Sequence, residues 1–126
     1  MSWKLTWVLA FLVAAGSAQA MDTAEDRLIG FATCAGRLSA LMEFQWLTHD
    51  PEAERTEAQR ANLIDILDAV MPPDRGRQVL HWRVEAKMAH AALLQRGRFN
   101  QDPADALWAR RLAAEQTDRC RAYLLS

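Results

Sequence analysis

Four breaks in a helix-forming background constrain this chain more than any other feature. Asp50-Pro51 and Asp102-Pro103 each set a capping acid before a proline. Proline suits the first helical position because the N–H it lacks has no partner there. Met71-Pro72-Pro73-Asp74 joins a stop to a fresh start, since proline ends one helix and an acid opens the next. Arg96-Gly97-Arg98 reads as a C-cap glycine with cations beside the last carbonyls. No strand-like alternation and no hairpin turn pair interrupts the intervals. The marks predict helices near 23–48, 52–70, 74–96 and 103–125.

The background is read best after the first twenty residues are set aside. Met1-Ser2-Trp3-Lys4 is a short positive segment, and Leu5 to Ala15 is an apolar run broken only by Thr6. Gly16-Ser17-Ala18-Gln19-Ala20 then ends in Ala-x-Ala, which completes the order of a secretory signal. Eleven apolar residues are too few for a membrane anchor, which needs about 20. Met21 follows the cleavage site, where a lipoprotein would carry cysteine. The expected product is a single helical domain over 21–126, periplasmic or secreted, with no membrane attachment after cleavage. In that segment 18 alanines stand against eleven valines, isoleucines and threonines combined, a balance that favours helix over strand.

Fourteen cations against sixteen acids give the mature segment a charge of −2, which argues against a nucleic-acid partner. The two Arg-Gly-Arg triplets do not change this. They bracket the third helix, about 32 Å apart at 1.5 Å per residue, too far to clamp one small anion. Phosphate-loop, dinucleotide and serine-hydrolase signatures are absent.

The first helix is apolar nearly all round. Leu28, Phe31, Cys34, Ala35, Leu38, Leu41, Met42 and Trp46 form one face, and Ile29, Ala32, Gly36, Ala40 and Leu47 a stripe beside it. Its polar content is thin, with Thr33, Arg37, Glu43 and Gln45 in its central stretch. Such a helix is central or touches a partner. The small stripe is assigned to close contact within the chain, and the protein to a monomer in preference to a homodimer. The second and fourth helices are ordinary amphipathic surface helices.

Short connections make consecutive helices antiparallel, an up-down-up-down four-helix bundle. Helices one and four then run antiparallel too, which brings Cys34 and Cys120 to similar height on inward faces. In an exported protein two cysteines read first as a disulfide. The bundle and the helix 1–helix 4 disulfide are inferred separately and agree. Neither cysteine has the neighbours of a zinc, redox or haem motif.

The third helix carries the anomaly. Arg83, Lys87 and His90 fall in the middle of its apolar arc, between Val79, Trp82, Ala86, Ala89 and Leu93 on one edge and Leu80, Val84 and Ala91 on the other. Buried charge must find carboxylates, a ligand or water. Glu43 is the natural partner, with Gln45 and His49 on the same helix. The functional reading is a polar pocket between helices one and three, built from Glu43, Gln45, Arg83, Lys87 and His90 and taking a small anion or an acidic segment. The structural alternative, favoured because it already satisfies burial, is a Glu43–Arg83 or Glu43–Lys87 ion pair with snorkelling stems.

A catalytic version needs a nucleophile beside His90 or a second acid beside Glu43, and the sequence offers neither. No cofactor or metal is expected. No glutamate has a histidine three residues on, and His81–Glu85 is a solvated pair. Trp46 and Trp82 are assigned to the core, whereas Trp108, Leu107 and Phe99 form either an exposed partner-binding patch or a surface covered by a loop. The leading expectation is therefore a non-enzymatic, exported module that binds a protein or small ligand. A bundle with a polar ligand-binding or acid–base pocket is second. A stress chaperone is third, requiring apolar surface that grows as carboxylates protonate.

Overall fold

The computed structural model describes residues 23–125, so the expected signal segment, residues 1–20, lies outside the described residues. They form four helices: α1 (Ala24–Leu47), α2 (Ala53–Val70), α3 (Gly76–Phe99) and α4 (Pro103–Ala122). Among the described residues there is no strand.

Local chemistry explains several boundaries, although α3 starts at Gly76 behind Arg75 with no side-chain cap, so Asp74 does not open it as expected. Thr23 and Asp26 close a capping box at the start of α1, with each side chain accepting from the other's N–H, at 3.0 and 3.4 Å. At its end His49 adopts the left-handed region, φ 56°, which histidine enters more readily than bulkier residues. The His49 and Asp50 N–H groups then donate to the Trp46 and Gln45 carbonyls, at 3.3 and 2.9 Å. His49 therefore acts as a backbone stop for α1. Asp50 accepts from Glu52 N–H at 2.9 Å within the connecting turn, and α2 begins only at Ala53. Asp102 caps α4 as its Asp-Pro step predicts, accepting from Ala104 and Asp105 N–H.

The glycine at 97 corrects one expectation. α3 runs on to Phe99, with Gly97 buried inside it. A Cβ there would lie 2.6 Å from Arg110 Cγ, and Arg110 donates to the Gly97 carbonyl at 2.6 Å. The missing side chain admits α4, and the arginine satisfies a carbonyl left unpaired at the helix end. Arg96 and Asn100 both bond Asp105, which latches the α3–α4 corner.

The helices alternate in direction. Ser39 meets Arg60 and Cys34 meets Cys120, so α2 and α4 oppose α1. Arg75 joins Glu25 by two hydrogen bonds at 2.7 and 2.6 Å, placing the start of α3 beside the start of α1. The expected disulfide is present, with Cα atoms 5.2 Å apart and 86 residues between the cysteines.

The bundle is not square. α1 touches all three other helices, and its most extensive contact is with its parallel partner α3. A Cβ at Gly36 would run into the Arg83 carbonyl oxygen and stand 3.0 Å from the Lys87 nitrogen. The two backbones thus meet where the small stripe lies, with Ala32, Gly36 and Ala40 all buried. α1 also supplies five of the nine residues in the central cluster: Leu28, Ala32, Cys34, Ala35 and Leu38. The others are Leu63, Leu67, Val79 and Cys120.

Trp82 packs against this cluster as expected, but Trp46 does not, since it is 48% exposed in the last turn of α1. Leu80 and Val84, placed on the apolar arc of α3, are also more than half exposed. Among the described residues no helix is long and apolar enough to cross a membrane.

Candidate functional site: the cavities beside α4

The five residues read as one pocket occupy three places. Lys87 Nζ lies 2.6 Å from Glu43 Oε1 at the α1–α3 surface, where both side chains are partly solvated. This is the ion-pair arrangement, and at such exposure its contribution to stability is below about 1 kcal/mol. Arg83 stands one turn before Lys87 with its backbone pressed on Gly36, and it is Lys87, not Arg83, that takes the Glu43 carboxylate.

His90 points elsewhere. It is 1% exposed between α3 and α4. Its Nδ1 is 3.1 Å from Gln116 Oε1, and its Nε2 is 3.4 Å from Thr117 Oγ1, which itself donates to the Ala113 carbonyl at 2.9 Å. Because Gln116 Oε1 only accepts, the Nδ1-protonated tautomer fits this contact. Burial holds the imidazole pKa below its ordinary value, the Gln116 bond partly opposes this, and the charge of Arg37 adds to the lowering. Among the described residues no carboxylate and no nucleophilic thiol or serine is bonded to it.

Gln45 is the residue that opens onto a cavity. It is 6% exposed, and its Oε1 has no hydrogen-bond partner among the described residues. A buried acceptor left unpaired costs about 1–3 kcal/mol, so native structures seldom keep one. Gln45 lines a groove of about 810 Å³ beneath α4, within the range of ligand sites, about 300–1,000 Å³. Its apolar wall includes Leu41, Phe44, Leu94 and Phe99, and its rim carries Arg98, Arg110, Arg121, Glu52 and Asp118. Two rim arginines are already engaged, Arg110 with Gly97 and Arg121 with Gln59.

The aromatic patch is exposed at the same end. Phe99 is 69% and Trp108 52% accessible, with Leu107 also exposed, so no loop among the described residues folds over them. Arg98 stacks on Phe99 and Arg96 on Trp108, with guanidinium carbons 6.0 and 5.1 Å from the ring centroids.

A second cavity of about 310 Å³ lies between α1, α3 and α4, lined by Thr33, Arg37, Trp82, Glu85, Leu93 and Gln116 among others. Sequence reading did not assign Thr33, Arg37 or Gln116 to a site. A signal was present nonetheless. Of the five polar residues in the central stretch of α1 (Thr33, Arg37, Ser39, Glu43 and Gln45), three (Thr33, Arg37 and Gln45) line these two cavities. Among the described residues no three His, Cys, Asp or Glu side chains converge as a metal site would require. No family model, no curated protein and no solved structure matches this sequence.

Proposed function

We propose that this protein is an exported, non-enzymatic binding module that takes an apolar segment of a partner protein into the groove beneath α4. The observation that carries the reading is Gln45, a groove-lining amide beside Leu41, Phe44 and Leu94 whose buried oxygen has no hydrogen-bond partner among the described residues. Such a site matches a ligand with an apolar body and one hydrogen-bond donor. A peptide segment supplies both through its side chains and its main-chain N–H. Exposed Phe99 at the rim extends the apolar surface outward, as hot-spot aromatics do. The N-terminal signal pattern and the Cys34–Cys120 disulfide support residence in an oxidising compartment.

Site-specific photo-crosslinking tests this. A crosslinker placed at Phe99, in the groove rim, is expected to capture a defined partner from the exported fraction of the native cell. The same group at Asn62, on the outer face of α2, captures none. Gln45→Leu is expected to raise the thermal midpoint by removing the unpaired acceptor, yet to abolish that crosslink. Equal capture from both positions, or capture undiminished in Gln45→Leu, overturns the reading.

A further inference from the structure

The smaller cavity contains a charge that the fold leaves unanswered. Arg37 is half-buried between α1, α3 and α4, and its guanidinium forms no ion pair and no hydrogen bond among the described residues. Of the other half-buried arginines, Arg75 holds Glu25, Arg121 holds Gln59 and Arg60 holds Ser39, while Arg83 lies at the α1–α3 surface without such a partner among the described residues. Burial, then repulsion from Arg119, lowers the pKa of Arg37, with Tyr123 acting in the opposite sense. A second cation beside a half-buried one compounds the cost, and burying unpaired charge is normally avoided.

Two neutral donors share the cavity. Thr33 lies one turn before Arg37 on the same face of α1 and lines the same space. Gln116 lines it from α4, and its Oε1 is already taken by His90 Nδ1. The Gln116 NH₂ end has no acceptor among the described residues, so His90 orients this amide with its donor end unspent. Trp82, Ala86, Ala89 and Leu93 make the rest of the wall apolar. Glu85 also lines the cavity, 3.3 Å from His81. One carboxylate at the edge sets the charge the site tolerates, because a dianion would be repelled where a monoanion is held.

We propose that this cavity is a binding site for a small organic monocarboxylate, with Arg37 gripping the carboxylate, Thr33 and Gln116 donating to it, and Trp82 and Leu93 covering its apolar body. The planar guanidinium fork matches a carboxylate with two parallel bonds. The site is separate from the groove beneath α4 and does not depend on the reading given for it. The two cavities lie on either side of α4, whose Gln116 faces one and whose Thr117 and Asp118 face the other.

The test is a titration of the full, oxidised protein with benzoate, followed by amide and indole N–H chemical shifts. Saturable shifts are expected at Thr33, Arg37, the Trp82 indole and Gln116, and Arg37→Met is expected to weaken binding at least tenfold. Benzyl alcohol, which keeps the ring and lacks the carboxylate, should bind at least tenfold more weakly, and inorganic phosphate likewise. A thermal melt checks that the variant folds, and Arg37→Met is expected to melt at or above the wild-type midpoint because it relieves an unpaired charge. N-acetylphenylalanine distinguishes the two sources of a carboxylate. Tighter binding than benzoate assigns the site to the terminal carboxylate of a peptide, and weaker binding to a free acid. Equal binding of benzoate and benzyl alcohol, equal binding by a folded Arg37→Met, or no saturable shift overturns the proposal.

Discussion

Along its α3 side, α1 presents Ala32, Gly36 and Ala40, and two backbones close on each other with no cavity between them at Gly36. Along its α4 side, the same helix presents Cys34, Arg37, Leu41 and Gln45, and here a groove opens beneath α4 and a smaller cavity opens between α1, α3 and α4, while a disulfide holds the helices together. The extent of contact follows the same order, with α1–α3 the most extensive and α1–α4 the least extensive of the main helix pairs. The buried polar side chains segregate as well. Of the five, Gln45, His90 and Thr117 lie on the α4 side, while Thr56 belongs to α2 and Ser39 is bonded by Arg60 of α2. Where small residues permit close approach, dispersion and burial suffice and nothing polar is needed. Where larger and polar residues hold a helix away, a covalent link replaces lost contact and leaves room for a ligand.

This difference ranks the expected effects of perturbation. The largest is loss of the disulfide. Cross-linking across 86 residues removes unfolded-state entropy equivalent to about 4–5 kcal/mol in the chain-entropy model. Cys34→Ser with Cys120→Ser is expected to lower the denaturant midpoint by a corresponding amount. Next comes the α3 seam. A side chain at 36 must displace the Arg83 carbonyl, so Gly36→Leu is expected to destabilise by about 1–3 kcal/mol or more, read as a fall in thermal midpoint.

His90 ranks below these. Its pKa is lowered in the folded state, so the unfolded protein binds the proton more readily. Stability is therefore fully present above the ordinary histidine range, near pH 6.5, and declines as pH falls below it. Glu25, lowered chiefly by its Arg75 hydrogen bond, acts in a separate window below pH 4.5. A His90→Gln variant is expected to flatten stability between pH 7 and pH 5 while leaving the more acidic loss in place. The smallest effect belongs to the surface pair, where Lys87→Met should change stability by less than about 1 kcal/mol. A larger loss there would mean that the α1–α3 seam depends on charge after all.

Much of this architecture is written in the sequence. Asp102-Pro103 starts α4 as its chemistry requires, the small stripe on α1 predicts close helix contact, and topology alone places Cys34 opposite Cys120. The functional residues were harder to read for a geometric reason. A helical wheel gives direction around an axis, but not which neighbour lies at a given height. Lys87 and His90 share an arc of α3, yet Lys87 sits where α3 meets α1, and His90 sits further on, where α3 meets α4. Trp46 shares the wheel direction of Leu28, but in the last turn of α1 it is half-exposed and lies outside the central cluster. Gly97 resembles a helix stop in sequence, because a glycine that admits a neighbouring helix and one that ends a helix look alike. Arg37 is legible only as an exception, the one cation in the largely apolar central stretch of α1.

The contrast between the two sides of α1 is tested most directly by amide hydrogen exchange on the oxidised and reduced protein. Local opening free energies report which contacts hold each helix. On reduction, the amides of α4 are expected to lose protection first, while those of α1 and α3 flanking Gly36 retain theirs. Uniform loss of protection across all four helices, or loss at the Gly36 seam ahead of α4, would contradict the account.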